Sequence, residues 1–295
     1  MQVIKSQMLR FMNEQQFPSE AISSLTNAIE SIFATKGKDI IAKIIKDYQA
    51  DYRIKSDEIA QKSKTISEIS NVDEKQCNLI IYMALVDGLK KHYINKGYPI
   101  ENYNDTIKEF RCKLLECHDC FGVWGARTCA VINTHFAMTR FGMGLFQFEI
   151  IKFGKTAIVD GVELKPDDKV INIHIPRLGL PLTKQERQKS YLRAKEFFKA
   201  YFPNQDKLPF FCHTWLLFKK HKEMLKPTSN IVSFMNDFSW LEGYEYQDYN
   251  ETWRIFGKFF TSIEDMPKEN SIQKAYATII ERGEKTGGAE GVFFL

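Results

Sequence analysis

The stretch from Lys169 to Trp215 constrains this chain more than any other. It reads KVINIHIP, then RLGLPLTKQERQ, then a long amphipathic segment, then LPFFCHTW. A β-rich run ends at a turn, a loop opens a helix, and a second β-rich run follows. Thr183 stands as N-cap, with Glu186 at the capping-box spacing three residues on. Leu192, Phe197 and Tyr201 can face a core, and Pro203 closes the helix. The result is a strand–loop–helix–strand unit of about the minimum length for a right-handed crossover between parallel strands. The first turn of its helix has backbone N–H groups with no partner in the helix and carries the positive end of the dipole. Together these suit a phosphate or a carboxylate.

The first 120 residues read as helices throughout. AISSLTNAIESIFA follows Ser19 with Ile22, Leu25, Ile29 and Ile32 at helical spacing. Lys38 to Tyr48 repeats the pattern with Ile40, Ile41, Ile44 and Ile45. Asp73 opens the most apolar helix, which ends near Gly97 with Pro99 just beyond. Asn104 or Asp105 is the expected cap of the next, TIKEFRCKLLECHDC. The composition then changes. GLFQFEIIKF alternates, TAIVDGVEL reads as a strand or hairpin arm, KVINIHIP follows as a strand, and FFCHTWLL as a strand running into a helix that ends near Lys226 and Pro227. SNIVSFMNDFSW and WRIFGKFF read as two more strands, NSIQKAYATIIERGEK as a last helix, and GGAEGVFFL as a flexible link into an apolar tail. The expected fold class is therefore α+β: a helical domain over 1–120 and a mixed-sheet domain over 121–295.

Composition excludes several functions. Lys+Arg 41 against Asp+Glu 37 gives a net charge of only +4, a soluble balance without a nucleic-acid signature. No segment reaches the roughly 18 to 20 apolar residues of a membrane span. MQVIKSQMLRFMNEQQ carries charges and amides where a signal peptide has its apolar core, so the expected location is the cytoplasm, with free thiols. Cys117 and Cys120 have C-x-x-C spacing beside Cys112, His118 and Cys129. With no second pair to complete a ligand set, no metal is expected.

From Gly144 onward the order is strand, strand, strand, helix, strand, helix, strand, strand, which is that of the GNAT acyltransferase fold from its second strand to its seventh. GLFQFE, VINIHIP with its G-x-P-L loop, CHTWLL, SNI-x-x-F and WRIFG together resemble the C-terminal domain of a bacterial family of two-domain acyltransferases. That family joins a helical N-terminal domain to a GNAT-like C-terminal one, so the resemblance covers nearly the whole chain.

The resemblance implies an N-acyltransferase moving an acyl group from acetyl-CoA, another acyl-CoA or a carrier-bound thioester to a small-molecule amine or a peptide. KVINIHIP would be the fourth strand, with Asn172, Ile173 and Ile175 beside the pantetheine arm. The loop with Arg177, Gly179 and Thr183, and the N–H groups of Lys184 and Gln185, would face the pyrophosphate. GNAT enzymes carry Q/R-x-x-G-x-G/A here, whereas this chain has RLGLPLT, whose proline removes one donor. Amine acylation needs a base and an acid. His174 on the fourth strand and His213 on the fifth would flank the thioester where these strands splay, with Glu149 and Tyr191 as further candidates for base and acid. A buried, hydrogen-bonded histidine also explains either position. The departure in the phosphate loop keeps a second reading open, a GNAT-like fold that binds a ligand or partner without turnover.

Overall fold

Why the first half is helical is visible in one element. A computed structural model describes residues 2–260 and 262–295. Helix α5 (Glu74–Asn95) opens on Asp73, whose carboxylate accepts from the Lys75 N–H at 2.7 Å. It is apolar nearly all round, which suits a helix enclosed by others. Around it lie α1 (Gln2–Glu14), α2 (Ser19–Phe33), α3 (Gly37–Ala50), α4 (Ser56–Ser70), α6 (Ile100–Thr106), α7 (Glu109–Phe121) and α8 (Cys129–Phe136). Buried hydroxyls lock the bundle. Tyr48 donates to the Phe136 carbonyl and Tyr82 to the Asn133 side chain, both at 2.9 Å. One helical expectation is corrected. Asn104 and Asp105 do not cap α7 but lie inside α6, which starts after Pro99, and α7 begins only at Glu109. Proline with its fixed φ suits a helix entrance, and it sets the earlier start.

Contacts divide the chain into two compact units after Gly142. Helix α8 therefore belongs with the helical unit, beyond the boundary expected at 120. Strand β1 (Arg140–Met143) runs across the division.

In the second unit the sheet runs β2 (Phe146–Lys152), β5 (Lys169–His174), β6 (Pro209–Thr214), β8 (Gly287–Phe294), β7 (Trp240–Glu245). β5 and β6 are parallel, and the other neighbours are antiparallel. Between β2 and β5 the chain makes a separate hairpin, β3 (Ala157–Val159) and β4 (Val162–Leu164), around Asp160 and Gly161. The crossover from β5 to β6 is α9 (Lys184–Phe198), with Thr183 as its cap. Tyr191 on α9 packs its ring against Phe146, Phe210 and Phe293 on one face of the sheet. The hairpin closes part of the other face through Val159, Leu164, Val170, Phe211 and Val292.

Four expectations for this half are corrected. Asn230 to Met235 form helix α11, not a strand, because the Ser229 hydroxyl caps it from the Val232 N–H. Helices α10 (His221–Met224) and α12 (Trp253–Phe256) are short, and the latter occupies the segment WRIFGKFF read as a strand. The tail after α13 (Ser271–Glu281) is a central strand, β8, not a flexible link. Its glycines serve close approach: a Cβ on Gly287 would lie 2.1 Å from the Tyr244 carbonyl oxygen. Finally, α9 turns a different face inward. Leu192 and Tyr201 are exposed, whereas Arg187, Ser190, Tyr191, Ala194 and Phe198 are buried.

His221, at the start of α10, is fully buried, with Nδ1 3.1 Å from the Leu216 carbonyl and Nε2 3.2 Å from the Tyr276 hydroxyl. Burial pushes its pKa down to about 4. A base depressed in the folded state stabilises the fold fully above its unfolded value near 6.5, and that contribution is lost as pH falls through 4. The gap corresponds to about 3 kcal/mol. Urea unfolding at pH 7.5 and pH 4 should show this loss in the native chain and a clearly smaller one in His221→Phe. An equal loss in both would contradict the assignment.

Candidate active site

The register of the sheet assembles the site. Gln147 pairs with His174 and Glu149 with Asn172 across β2 and β5. Alternation along each strand then sets Gln147, Glu149, Asn172 and His174 on one face, opposite the face covered by α9. β6 continues that face. Its pairing with β5 runs through Ile171↔Phe210 and Asn172↔Phe211 only, among the described residues. Beyond these pairs β5 runs on to His174 and β6 to Thr214. His174 and His213 thus stand on the same face, each two residues past the last pair, on either side of the opening.

His174 Nε2 lies 2.6 Å from Glu149 Oε1. Asn172 Nδ2 lies 3.3 Å from the same oxygen and 3.0 Å from Nε2. A carboxylate can only accept, so Nε2 carries the hydrogen and donates it to Glu149. The Asn172 amide then donates to the carboxylate as well. The Glu149 side chain is 15% exposed and that of His174 29%, so the pair is largely withdrawn from water yet open at one edge.

His213 is more open. Its Nδ1 is 4.0 Å from Glu290 Oε1, and its ring stands edge-on to Tyr244 at 4.8 Å. Register places Glu290, Glu242 and Tyr244 on this same face. Lys155 reaches between Glu242 and Glu290.

Tyr191 is elsewhere. It lies on the opposite face in the core, donating its hydroxyl to Asp237 Oδ2 at 3.1 Å, and burial raises its pKa. Asp237 is also held by Arg187, a fully buried side chain absent from the sequence-based candidates. Its Nη1 donates to the Leu182 carbonyl at 2.8 Å, so it fastens the loop before α9. Arg254 pairs with Glu251 at 2.7 Å, three residues before it.

The remaining candidates line up along one path. Asn172 and Ile173 are on β5, and Ile175, Arg177, Gly179 and Thr183 are in the loop to α9. Thr183 Oγ1 accepts from the Glu186 N–H at 3.3 Å, which leaves the Lys184 and Gln185 N–H groups in the open first turn. The Leu178 and Thr183 N–H groups turn inward onto the Pro176 and Pro181 carbonyls. Gly179 has φ +72, and a Cβ there would meet no atom within 4 Å, so the backbone at this point is bare to a ligand.

A mixed sheet with a parallel central pair that opens beyond two residues, followed by a capped crossover helix, defines an acyltransferase-type sheet of the GNAT kind. The chain belongs to the family of the GNAT-like C-terminal domain, whose model matches residues 140–293. Among solved structures, the fold resembles an acyltransferase in complex with decanoyl-CoA and teicoplanin, with TM-score 0.71 and 15% identity over 96% of this chain and 86% of that one. A mutant acyltransferase in complex with octanoyl-CoA gives TM-score 0.72 at 15% identity, covering 96% and 86%. An acyltransferase with CoA and 10C-teicoplanin gives 0.70 at 14% identity, covering 95% and 85%. No curated protein matches the sequence. Among the described residues, no helix is long and apolar enough to cross a membrane, and no three His, Cys, Asp or Glu side chains are grouped to hold a metal.

Proposed function

We propose that this chain transfers an acyl group from acyl-CoA to an amine. The observation that carries the reading is the Glu149–His174 pair at the opening between β5 and β6, on a sheet of the GNAT family. Glu149 fixes the imidazole tautomer and stabilises its protonated form, as a carboxylate does for a general base. His174 Nδ1 takes the proton from the acceptor ammonium. The freed amine attacks the thioester carbonyl, and the C–N bond forms as the carbonyl π electrons move to oxygen. Backbone N–H groups at the opened edge of β5 stabilise that oxyanion. Its collapse breaks the C–S bond, and the second proton of the attacking nitrogen passes to the CoA thiolate through His213 or water, which leaves the amide neutral. The products are an amide and free CoA.

The solved acyltransferases that share the fold hold octanoyl-CoA and decanoyl-CoA, which makes medium-chain acyl-CoA the first donor to test. One of them holds teicoplanin, a glycopeptide, which favours a large or peptide-like amine acceptor over a small metabolite.

Calorimetric titration with acetyl-, octanoyl- and decanoyl-CoA checks the donor. Micromolar binding of at least one, weakened about tenfold or more in Arg177→Ala/Thr183→Ala, is expected, since that variant removes a charged contact and the helix cap. No heat up to millimolar concentrations of all three would sink the reading.

A further inference from the structure

A polar cleft of about 340 Å³ lies beside the loop that leaves β5, lined in part by Arg177, Arg254, Lys258, Asp265, Glu269 and Gln273. None of these except Arg177 has a role in the reaction described above. Arg177 is three residues past His174 and sits in the segment from Pro176 to Thr183, so the cleft and the phosphate-facing loop share a wall.

The cations around the cleft are held for planar and point contacts. The Arg254 guanidinium stacks over Trp253 at 4.6 Å and donates through Nε to Glu251 at 2.7 Å. Among the described residues its two Nη groups make no hydrogen bond, so the fork that grips a phosphate bidentately is available. Lys258 sits over Phe260 at 5.0 Å, and no carboxylate among the described residues lies within ion-pair distance of its Nζ. The two carboxylates set the other side. Asp265 and Glu269 repel a bare anion but accept from hydroxyl and amino donors. Glu269 is fixed by its own backbone N–H, which donates to Gln273 Oε1 at 2.9 Å. Arg254 and Lys258 facing two acceptors around a polar space match a phosphorylated sugar better than an acyl chain, which would offer these groups no partner.

We infer that this cleft binds the 3′-phosphorylated ribose of CoA, with Arg254 and Lys258 on the 3′-phosphate. The inference rests on the acyl-CoA reading and deepens it. The first turn of α9 faces the pyrophosphate, and the 3′-phosphate is the remaining anionic group of the same molecule. The cleft therefore separates CoA thioesters from donors that carry only a phosphopantetheine arm.

Calorimetry with CoA and with 3′-dephospho-CoA tests this. The native chain should bind CoA at least about tenfold more tightly, as expected for charge-assisted contacts to one phosphate. Arg254→Ala/Lys258→Ala should bind CoA as weakly as the native chain binds 3′-dephospho-CoA, while its affinity for 3′-dephospho-CoA stays unchanged. That second ligand also reports that the variant is folded. Lys258→Glu should weaken CoA further and leave 3′-dephospho-CoA alone. Equal micromolar affinity of the native chain for both ligands would overturn the cleft assignment while leaving acyl-CoA as donor. Loss of both ligands in the double variant, at an unchanged melting temperature, would overturn it too. No binding of either by the native chain would overturn the donor reading and this inference with it.

Discussion

Replacing His174 with alanine should lower kcat by about 10²–10⁴-fold, the usual contribution of a positioned general base. Acyl-CoA affinity should change little, because the imidazole handles the acceptor proton and not the nucleotide. Glu149→Gln tests the same pair from the other side. The amide can donate as well as accept, so it no longer fixes hydrogen on Nε2, which lies 2.6 Å from the native carboxylate oxygen. Its rate should fall toward that of His174→Ala, and the double variant should be no worse than the slower single one, since the two groups act as a unit. Asn172→Ala, which removes only a 3.3 Å donor to Glu149, should cost much less. Acylation rates are measured on protein of matched thermal stability. Activity within about twofold of native in His174→Ala would remove this residue from the chemistry, given the size expected for a base.

The largest effect on stability should come from Arg187→Ala. The guanidinium is fully buried, with Nε 2.6 Å and Nη2 2.9 Å from the two oxygens of Asp237, and it also donates to the Leu182 carbonyl and to Ser233. Removing one partner of such a pair strands the other in a low-dielectric setting, at a cost of about 3–5 kcal/mol. Tyr191 would remain as a single neutral donor to the abandoned carboxylate. Arg187→Lys keeps the charge but cannot span both oxygens, so it should recover only part of the loss. Arg187→Met with Asp237→Leu should recover more, because no charge is then left unpaired. Denaturant unfolding at pH 7.5 measures all three. A loss below about 1 kcal/mol in Arg187→Ala would show that the pair contributes no more than an exposed ion pair. There is a functional corollary. Arg187 ties the Leu182 carbonyl to α9, so partly folded variants should bind CoA more weakly as the loop loosens.

These two residues also show what the sequence could reveal. The α9 cap was legible, because Thr183 and Glu186 carry a local signal and the Thr183 hydroxyl does accept from the Glu186 N–H. The box is half formed, since the Glu186 carboxylate pairs with Lys189 instead of reaching back. Which face of α9 is buried was not legible. The stripe of Arg187, Ser190, Tyr191, Ala194 and Phe198 opens with a charged residue, and a charge on an apolar stripe is readable only once Asp237, 50 residues on, is known to meet it. Glu149 and His174 were each recognisable as titratable side chains on β-rich runs. Their contact depends on β2 pairing with β5 across an inserted hairpin, and a one-residue slip would have placed them on opposite faces. Strand β8 was hidden for the opposite reason. Its glycines read as flexibility, while the fold uses them to bring β7 and its side chains close.

The reaction itself is tested most directly by thiol release. Purified chain, decanoyl-CoA and a panel of amines, including a glycopeptide amine, are mixed, and free CoA and acylated amine are measured together. Amine-dependent thiol release matched one to one by acylated amine, and slowed at least about 100-fold in His174→Ala, is the expected result. Micromolar binding of decanoyl-, octanoyl- and acetyl-CoA with no acylated amine from any acceptor would contradict an acyltransferase and leave a GNAT-family sheet that binds its ligand without turnover.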